Sequence, residues 1–184
     1  VIMAKAPEPG RVKTRLTPVL SPEQAAALQA ALTEDAVAVS VTTASLLSSP
    51  CAAAPARRLR VRLACAPSAD HPFFQQLAAR RGVDLLEQGE GDLGERMERL
   101  QRRAFDLGAL AVVFIGVDAP AVTGTSLPVA LTRLDEASVV LGPAEDGGYT
   151  LLGSIRPTPS LFVDMPWGTG QVLERTRQRL RTAE

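Results

Sequence analysis

AVVFIGV, residues 111–117, is an uninterrupted apolar run with the length of one β-strand. A strand without alternating polar positions is typical of a strand covered on both faces, as in a parallel sheet between layers of helices. Val, Ile and Phe also favour extended backbone, which supports the assignment. The run therefore predicts an α/β fold in which this strand is buried between helices.

Strand-like and helix-like segments alternate on either side of this run. Short apolar or β-branched runs predict further strands at 1–4, 60–65, 83–86, 138–141 and 149–152. Helical periodicity and capping residues predict helices at 22–44, 70–81, 92–107, 126–134 and 171–181. The alternation predicts a mostly parallel mixed sheet with helices on both faces, and the length of 184 residues predicts a single domain over 1–184.

Charge and composition argue against several classes of protein. Twenty basic residues balance twenty acidic ones, so the chain has no overall field that would attract a nucleic acid. Its longest apolar run falls far short of the roughly 20 residues that span a bilayer, and no secretion-like segment opens the chain. Cys51 and Cys65 have no metal or redox spacing. We therefore expect a cytoplasmic protein without a nucleic-acid or membrane partner.

The segment after the first predicted strand is rich in cations. Gly10 permits close backbone approach to a ligand, and Lys13 and Arg15 place two positive charges at the expected ligand edge of the sheet. Lys5 and Lys13 are the only lysines of the chain, beside eighteen arginines. The spacing fits a phosphate clamp or a solvated basic loop, and it lacks the glycine that precedes the lysine of a Walker A loop.

A carboxylate, Asp118, follows the apolar run directly, and Pro120 comes two residues later. A charge at the end of a buried strand is costly unless a cation meets it. At a phosphate site that cation is usually a divalent metal with oxygen ligands, here Mg²⁺ or Mn²⁺. The alternative is that Asp118 caps the next turn.

Three further segments are weaker candidates. Asp146 precedes two glycines, which fits either a ligand-contacting turn or a plain β-turn between strands. Asp92, with Glu95 three residues on, matches a capping box, although the glycine-spaced loop at 88–97 could also contact a nucleotide base or ribose. The single tryptophan, Trp167, is more often a packing residue than a substrate platform.

Taken together, these motifs resemble the cofC-like glycosyltransferase family, which is associated with radical-SAM and arsenosugar gene neighbourhoods. The similarity runs in order through 3–16, 91–97, 116–120, 142–153 and 167–169. That family looks like the GT-A, or nucleotide-diphospho-sugar transferase, fold. Its distant relatives include 2-phospholactate guanylyltransferase and the molybdenum-cofactor guanylyltransferase. The resemblance implies a GT-A-like fold and a nucleotide-phosphate donor bound over the first loop.

The resemblance also implies roles for individual residues. Those expected to bind nucleotide and phosphate are Lys5, Gly10, Lys13, Arg15, Gly91, Gly94 and Arg96. Those expected in catalysis are Lys13, Asp118 and Asp146, and the two aspartates are also the expected metal ligands. Those expected on the acceptor side are Gly147, Gly148, Tyr149 and Trp167. The chain departs from the pattern in having no D-x-D triplet around Asp118.

Three functions stay open at this point. In a glycosyltransferase the donor is a nucleotide-sugar, a small molecule accepts the sugar, and a nucleoside diphosphate leaves. In a nucleotidyltransferase an acceptor phosphate attacks a nucleoside triphosphate and pyrophosphate leaves. Both reactions depend on positioning and on neutralisation of phosphate charge. The family resemblance favours sugar transfer, the cation pair favours a triphosphate, and a non-catalytic nucleotide-binding protein is the third alternative.

Overall fold

The structure is a computed structural model that describes residues 1–48, 58–118 and 126–182. The strands within these ranges are β1 (Ile2–Lys5), β2 (Arg62–Ala66), β3 (Asp84–Glu87), β4 (Val112–Gly116), β5 (Val139–Pro143) and β6 (Tyr149–Ser154). The α-helices within them are α1 (Pro22–Leu47), α2 (Pro72–Arg81), α3 (Leu93–Asp106), α4 (Ser126–Arg133) and α5 (Val172–Thr182). Every strand and helix predicted from the sequence is present.

The six strands form one mixed sheet, in the order β3-β2-β1-β4-β6-β5, and helices flank it. This confirms the predicted α/β fold class. The chain consists of two compact units. The first unit comprises Val1–Gln88 and Gly116–Pro128, and the second comprises Gly89–Ile115 and Val129–Glu184. The expectation of one functional domain over 1–184 stays a prediction.

In the first unit, β1, β2 and β3 pair in parallel, with Ile2 opposite Leu63 and Leu63 opposite Leu85. Leu63 and Cys65 on one face and Ala64 on the other are all fully buried, as expected of a parallel strand covered on both faces. α2 begins after His71, whose Nδ1 accepts a hydrogen bond from the Phe73 N–H. These parallel strands bring their carboxyl ends to one edge, where the segment after β1 begins.

α1 begins at a capping box in which Ser21 and Gln24 satisfy each other's backbone N–H groups. By length and composition this helix could cross a membrane, a property that it shares with core helices of water-soluble proteins. Two of its buried polar side chains donate hydrogen bonds within the protein. Gln29 Nε2 donates to Lys5 O, and Thr33 Oγ1 donates to Gln29 O. The expected absence of a membrane partner stays a prediction.

In the second unit, β6 pairs antiparallel with both β4 and β5. The alternation of strands and helices in the sequence does not predict this antiparallel hairpin. A β-turn at the Asp-Gly pair, 146–147, was one of the two interpretations of that segment, and a turn forms there. A buried amide links α3 to β6, because Gln101 Nε2 donates to the hydroxyls of Ser154 and Thr158. The Thr158 N–H returns a hydrogen bond to Gln101 Oε1. The buried amide is therefore fully engaged.

The predicted boundaries differ from the observed ones by at most three residues. The run at 111–117 forms β4 at Val112–Gly116, and its apolar residues Val112, Phe114 and Ile115 are buried. α1 extends past its predicted end at residue 44 to Leu47. Cys51 and Pro120 lie outside the described residues.

Candidate functional site

The segment after β1 is anchored to the first unit by backbone hydrogen bonds and one apolar side chain. The Ala6 N–H donates to Ala66 O at 2.7 Å, which extends the pairing of β1 with β2 by one residue. The Arg11 N–H donates to Glu8 O, closing a turn in which Gly10 has a φ of 76°. Val12 is 4% exposed and fixes the segment to the core. The residue that follows Val12 is therefore held in place.

That residue is Lys13, which adopts a left-handed backbone conformation with φ 49° and ψ 33°. Such a conformation is unfavourable for a residue with a Cβ and costs about 1–2 kcal/mol relative to the right-handed region. Lys13 precedes a 3₁₀ turn at Thr14–Leu16, and Lys13 O accepts a hydrogen bond from the Leu16 N–H. Strain of this kind is concentrated at functional sites and switch regions.

The Lys13 ammonium contacts Asp118, the second residue after β4. Lys13 Nζ donates to Asp118 Oδ1 at 2.5 Å, a charge-assisted hydrogen bond. The lysine side chain is 13% exposed, whereas the aspartate side chain is 79% exposed. Two site residues predicted from separate strand ends therefore meet. The carboxylate that was expected to need a cation has an ammonium beside it.

The other candidates of this segment are exposed. Lys5 ends β1, Gly10 occupies the turn, and Arg15 lies in the 3₁₀ turn. Arg11 is paired with Glu8 at 3.4 Å on the surface. Solvent therefore reaches the cationic groups on either side of Lys13.

Two buried glutamines, for which the sequence predicted no such role, hold the carboxyl end of β1 and the middle of β2. Gln88 Nε2 donates to Ala4 O at 2.9 Å and to Ala64 O at 2.8 Å, and the residue is 4% exposed. Gln29, equally buried, donates to Lys5 O from α1. These amides fix the strand ends from which the candidate residues extend. A glutamine in an amphipathic helix or after a strand gives no local indication of such a role.

In the second unit, the glycine-spaced loop is closed onto the start of α3. Asp92 and Glu95 form the predicted capping box. Arg96 Nε donates to Gly91 O at 2.8 Å, so this arginine braces the loop. Gly94 is buried, and a Cβ there would lie 2.4 Å from Phe162 O, which no side chain tolerates. The roles of Gly91, Gly94 and Arg96 toward a nucleotide stay predictions.

Asp146 occupies the tight turn between β5 and β6 in the second unit. Its Oδ1 accepts a hydrogen bond from the Gly148 N–H at 3.0 Å. Gly147 has a φ of 81°, and a Cβ there would lie 2.1 Å from Gly170 O. Glycine at 147 is therefore required both by the backbone conformation and by the close approach of the segment before α5. Asp146 itself is exposed.

The predicted acceptor-side aromatic residues are neighbours within the second unit. The rings of Tyr149 and Trp167 meet edge to face, with centroids 6.3 Å apart. Tyr149 Oη, Trp167 Nε1 and Thr176 Oγ1 are buried without a hydrogen-bond partner among the described residues. Burial raises the pKa of Tyr149 to about 12, and the nearby Thr176 hydroxyl opposes the shift. The two hydroxyls thus lie close together but outside hydrogen-bond geometry.

An arginine of α5 supports the segment that leads to Trp167. The Arg179 guanidinium donates to the carbonyl oxygens of Ser160, Val163 and Asp164, with its contact to Ser160 O at 2.7 Å. Asp164 has a left-handed φ of 49°. Arginine at this position of an exposed helix resembles any surface cation in the sequence, so the sequence analysis did not single it out.

Among the predicted catalytic residues the structure joins Lys13 to Asp118 within the first unit. Asp146 belongs to the second unit, so the expectation that it shares a cleft with them stays a prediction. Across the described ranges, no group of three or more His, Cys, Asp or Glu side chains is arranged to hold a metal ion.

Comparisons with known proteins agree with this fold. A solved structure from Desulfovibrio desulfuricans G20, provisionally described as a nucleotide-diphospho-sugar transferase, is 30% identical with a TM-score of 0.82, over 99% of this chain and 74% of that one. A cytidylyltransferase from Leptospira borgpetersenii serovar Hardjo-bovis (strain JB197) is 10% identical with a TM-score of 0.55, over 98% of this chain and 71% of that one. At that identity the second likeness concerns the fold alone.

The fold is thus that of the nucleotide-diphospho-sugar transferase superfamily. Residues 48–169 match the family described as "Uncharacterized protein conserved in bacteria (DUF2064)", and the chain belongs to this family. No curated protein matches the chain at a significant level. Relatives and fold together support a nucleotide-based transferase in general.

Proposed function

We propose that the protein is a glycosyltransferase that moves a sugar from a nucleotide-sugar to a small-molecule acceptor, within the cofC-like branch of the superfamily. The observation that carries the proposal is the Lys13–Asp118 pair, which puts an ammonium and an exposed carboxylate 2.5 Å apart. A diphosphate with a divalent cation needs both kinds of group. The named relative at 30% identity supports the donor class.

In this proposal the donor phosphates bind at the segment after β1. Lys13 supplies a point charge and Arg15 a planar two-pronged donor, and both kinds of group recognise phosphate. Lys5 and the exposed turn at Gly10 lie in the same segment. The backbone around Gly91 and Gly94 contacts the nucleoside, with Arg96 bracing the loop.

A divalent cation fits the carboxylate of Asp118. The side chain is 79% exposed, so a metal carried by the donor phosphates can reach it from solvent. Mg²⁺ in phosphate-transfer sites is commonly held by one or two carboxylates, with substrate phosphates and water completing the shell. The lack of a cluster of three ligating side chains among the described residues agrees with that mode. Asp146 is proposed as the second carboxylate. The cation, Mg²⁺ or Mn²⁺, would neutralise charge on the leaving diphosphate.

Acceptor binding is assigned to the second unit. Gly147 and Gly148 expose backbone at the turn after Asp146, and Tyr149 and Trp167 offer aromatic surface. Asp146 would also accept a proton from the acceptor hydroxyl. A cytoplasmic location is proposed together with this function, because nucleotide donors are made there.

A second candidate function, nucleotidyl transfer, is favoured by one feature, the two cations Lys13 and Arg15 in three residues. A nucleoside triphosphate carries more negative charge than a nucleotide-sugar, so a second cation in the site stabilises its binding more. The reaction would be guanylyltransferase-like, with an acceptor phosphate as nucleophile. A non-catalytic nucleotide-binding protein is the remaining alternative.

The leaving group distinguishes these functions. Purified protein is first screened by thermal shift against nucleotide-sugars and nucleoside triphosphates with Mg²⁺ or Mn²⁺, because a ligand at 100 times its Kd adds about 2.7 kcal/mol of stability. Ligands that bind are then incubated with pooled small-molecule acceptors, and the products are separated by chromatography. Release of nucleoside diphosphate with Asp118-dependent kinetics supports glycosyl transfer. Pyrophosphate release indicates nucleotidyl transfer, and binding without turnover indicates the non-catalytic alternative.

A further inference from the structure

The contact between Lys13 and Asp118 has an unequal geometry. The lysine side chain is the more covered partner, at 13% exposure, and the aspartate side chain is the open one, at 79%. A lysine side chain normally keeps its charged end in water. Here Val12 and the turn before it fix the backbone, and the side chain is directed toward the end of β4.

The lysine backbone is part of the same arrangement. Lys13 holds a left-handed φ of 49°, a conformation that glycine adopts without cost and lysine does not. Because such strain persists only where the surroundings impose it, Lys13 is held in a conformation that a small backbone change would relieve.

The position of the ammonium also bears on metal binding. A divalent cation that coordinates Asp118 Oδ1 must come within a few ångströms of Lys13 Nζ, and like charges at that distance repel each other. Within the described part of the chain no cluster of three ligating side chains offsets this repulsion. Phosphate oxygens would offset it, because they attract both the ammonium and the metal.

We propose that Lys13 occupies the cation position at Asp118 in the ligand-free protein, and that a divalent metal replaces it only together with a nucleotide phosphate. This inference rests on the proposed function and specifies its binding order. Free metal does not load the site. The metal–nucleotide complex is what binds, and Lys13 transfers from the carboxylate to the phosphates as it does so.

The test is a titration of the whole protein with Mn²⁺, in which electron paramagnetic resonance measures the free ion. Wild type alone should show no saturable Mn²⁺ binding up to millimolar concentration. Lys13→Met keeps the aliphatic stem and removes the charge, so it should bind Mn²⁺ alone saturably, with a Kd at least about tenfold below the highest Mn²⁺ concentration at which wild type shows no saturation. The double variant Lys13→Met/Asp118→Asn should lose that gain. Arg11→Met is the matched control, because it removes one charge from the same segment and should not gain Mn²⁺ binding.

Tight Mn²⁺ binding by wild type alone, or no gain in Lys13→Met, would overturn the proposal. If Lys13→Met does not fold, Lys13→Gly replaces it, since glycine suits the left-handed backbone. A separate thermal-shift titration with nucleotide and metal tests the proposed function itself. Nucleotide binding without a gain of Mn²⁺ binding in the variant refutes the binding order alone. A protein that binds no nucleotide refutes the proposed function.

Discussion

Lys13 Nζ lies 2.5 Å from Asp118 Oδ1, although 105 positions separate the two residues in the chain. The contact joins the segment after β1 to the segment after β4 within the first unit. An exposed ion pair of this kind contributes only about 0–1 kcal/mol to folding stability. The left-handed backbone of Lys13 costs about as much as this ion pair contributes. Ligand binding therefore explains the strained lysine better than folding stability does.

Replacement of Lys13 should weaken donor binding more than it weakens the fold. Lys13→Ala removes a charge-assisted hydrogen bond to phosphate, worth about 1.5–3 kcal/mol. Donor affinity measured by calorimetry should fall roughly 10- to 150-fold. Lys13→Arg should not restore it, since a planar fork needs different spacing from a point charge. Arg11→Ala, in the same segment, serves as the control and should bind normally. Equal affinities of wild type and Lys13→Ala for every nucleotide would show that the segment after β1 is a solvated basic loop that does not bind phosphate.

Asp118→Asn tests whether the carboxylate serves ligand binding or a turn. The amide keeps the shape and loses the charge, so the melting temperature should change little while Mn²⁺-dependent nucleotide affinity falls sharply. Thermal melts and nucleotide titrations with and without metal measure both. A melting temperature lowered by several degrees with unchanged binding would identify Asp118 as a turn-capping residue.

Gly147 should be intolerant of even one added carbon. Its Cβ would lie 2.1 Å from Gly170 O, and its φ is +81°. Crowding and strain together predict that Gly147→Ala lowers the free energy of unfolding by about 2–4 kcal/mol. Gly108 has a φ of +82° with open space around a Cβ, so Gly108→Ala should lose only the strain component, about 1–2 kcal/mol. If urea denaturation gives the same loss of unfolding free energy for Gly147→Ala and Gly108→Ala, the segment before α5 moves readily to make room for the added carbon at residue 147.

Removing the buried hydroxyl of Thr176 should not destabilise the protein, in contrast to removing a hydroxyl that has a hydrogen-bond partner. Its hydroxyl has no hydrogen-bond partner among the described residues, so the isosteric Thr176→Val should leave stability unchanged or raise it by about 1 kcal/mol. Thr33 is as fully buried, but its hydroxyl donates to Gln29 O at 2.8 Å, so Thr33→Val should lose about 0.5–1.5 kcal/mol. If both variants lose stability alike, the Thr176 hydroxyl is paired in solution, with Tyr149 or with water.

Cys65 should make the protein more sensitive to alkali. Burial, helped by the Glu87 carboxylate and opposed by a backbone hydrogen bond at Leu86, raises the pKa of the thiol from 9.0 to about 12. Because the folded pKa lies above the unfolded one, the thiol's contribution is complete below pH 9 and is lost as pH rises toward 12. The stability advantage of wild type over Cys65→Ala should therefore shrink between pH 9 and 11 in urea denaturation. A constant difference would mean that the thiol ionises equally in both states.

Local patterns were enough to predict the secondary structure. The apolar run at 111–117, the Ser21 cap of α1 and the Asp92 capping box each depend on residues near in sequence, and each forms as predicted. The meeting of Lys13 with Asp118 could also be predicted, because parallel strands bring their carboxyl ends to one edge.

Contacts between distant segments were not predictable in the same way. Two such contacts depend on how loops pack: Gly170 lies against Gly147, and Arg179 donates hydrogen bonds to the segment before Trp167. Neither contact produces a periodic pattern in the sequence. The antiparallel pairing of β6 with β4 likewise depends on strand order in the sheet, which alternation of strands and helices does not fix.

The most direct test of the donor site is a crystal structure of the protein with a bound nucleotide and Mn²⁺, with the metal located by anomalous scattering at the manganese edge. We predict an anomalous peak at coordination distance from the Asp118 carboxylate, phosphate oxygens in the same metal shell, and Lys13 Nζ moved from Asp118 onto a phosphate. A bound nucleotide that leaves the Lys13–Asp118 contact intact, with the manganese peak elsewhere, would contradict the account.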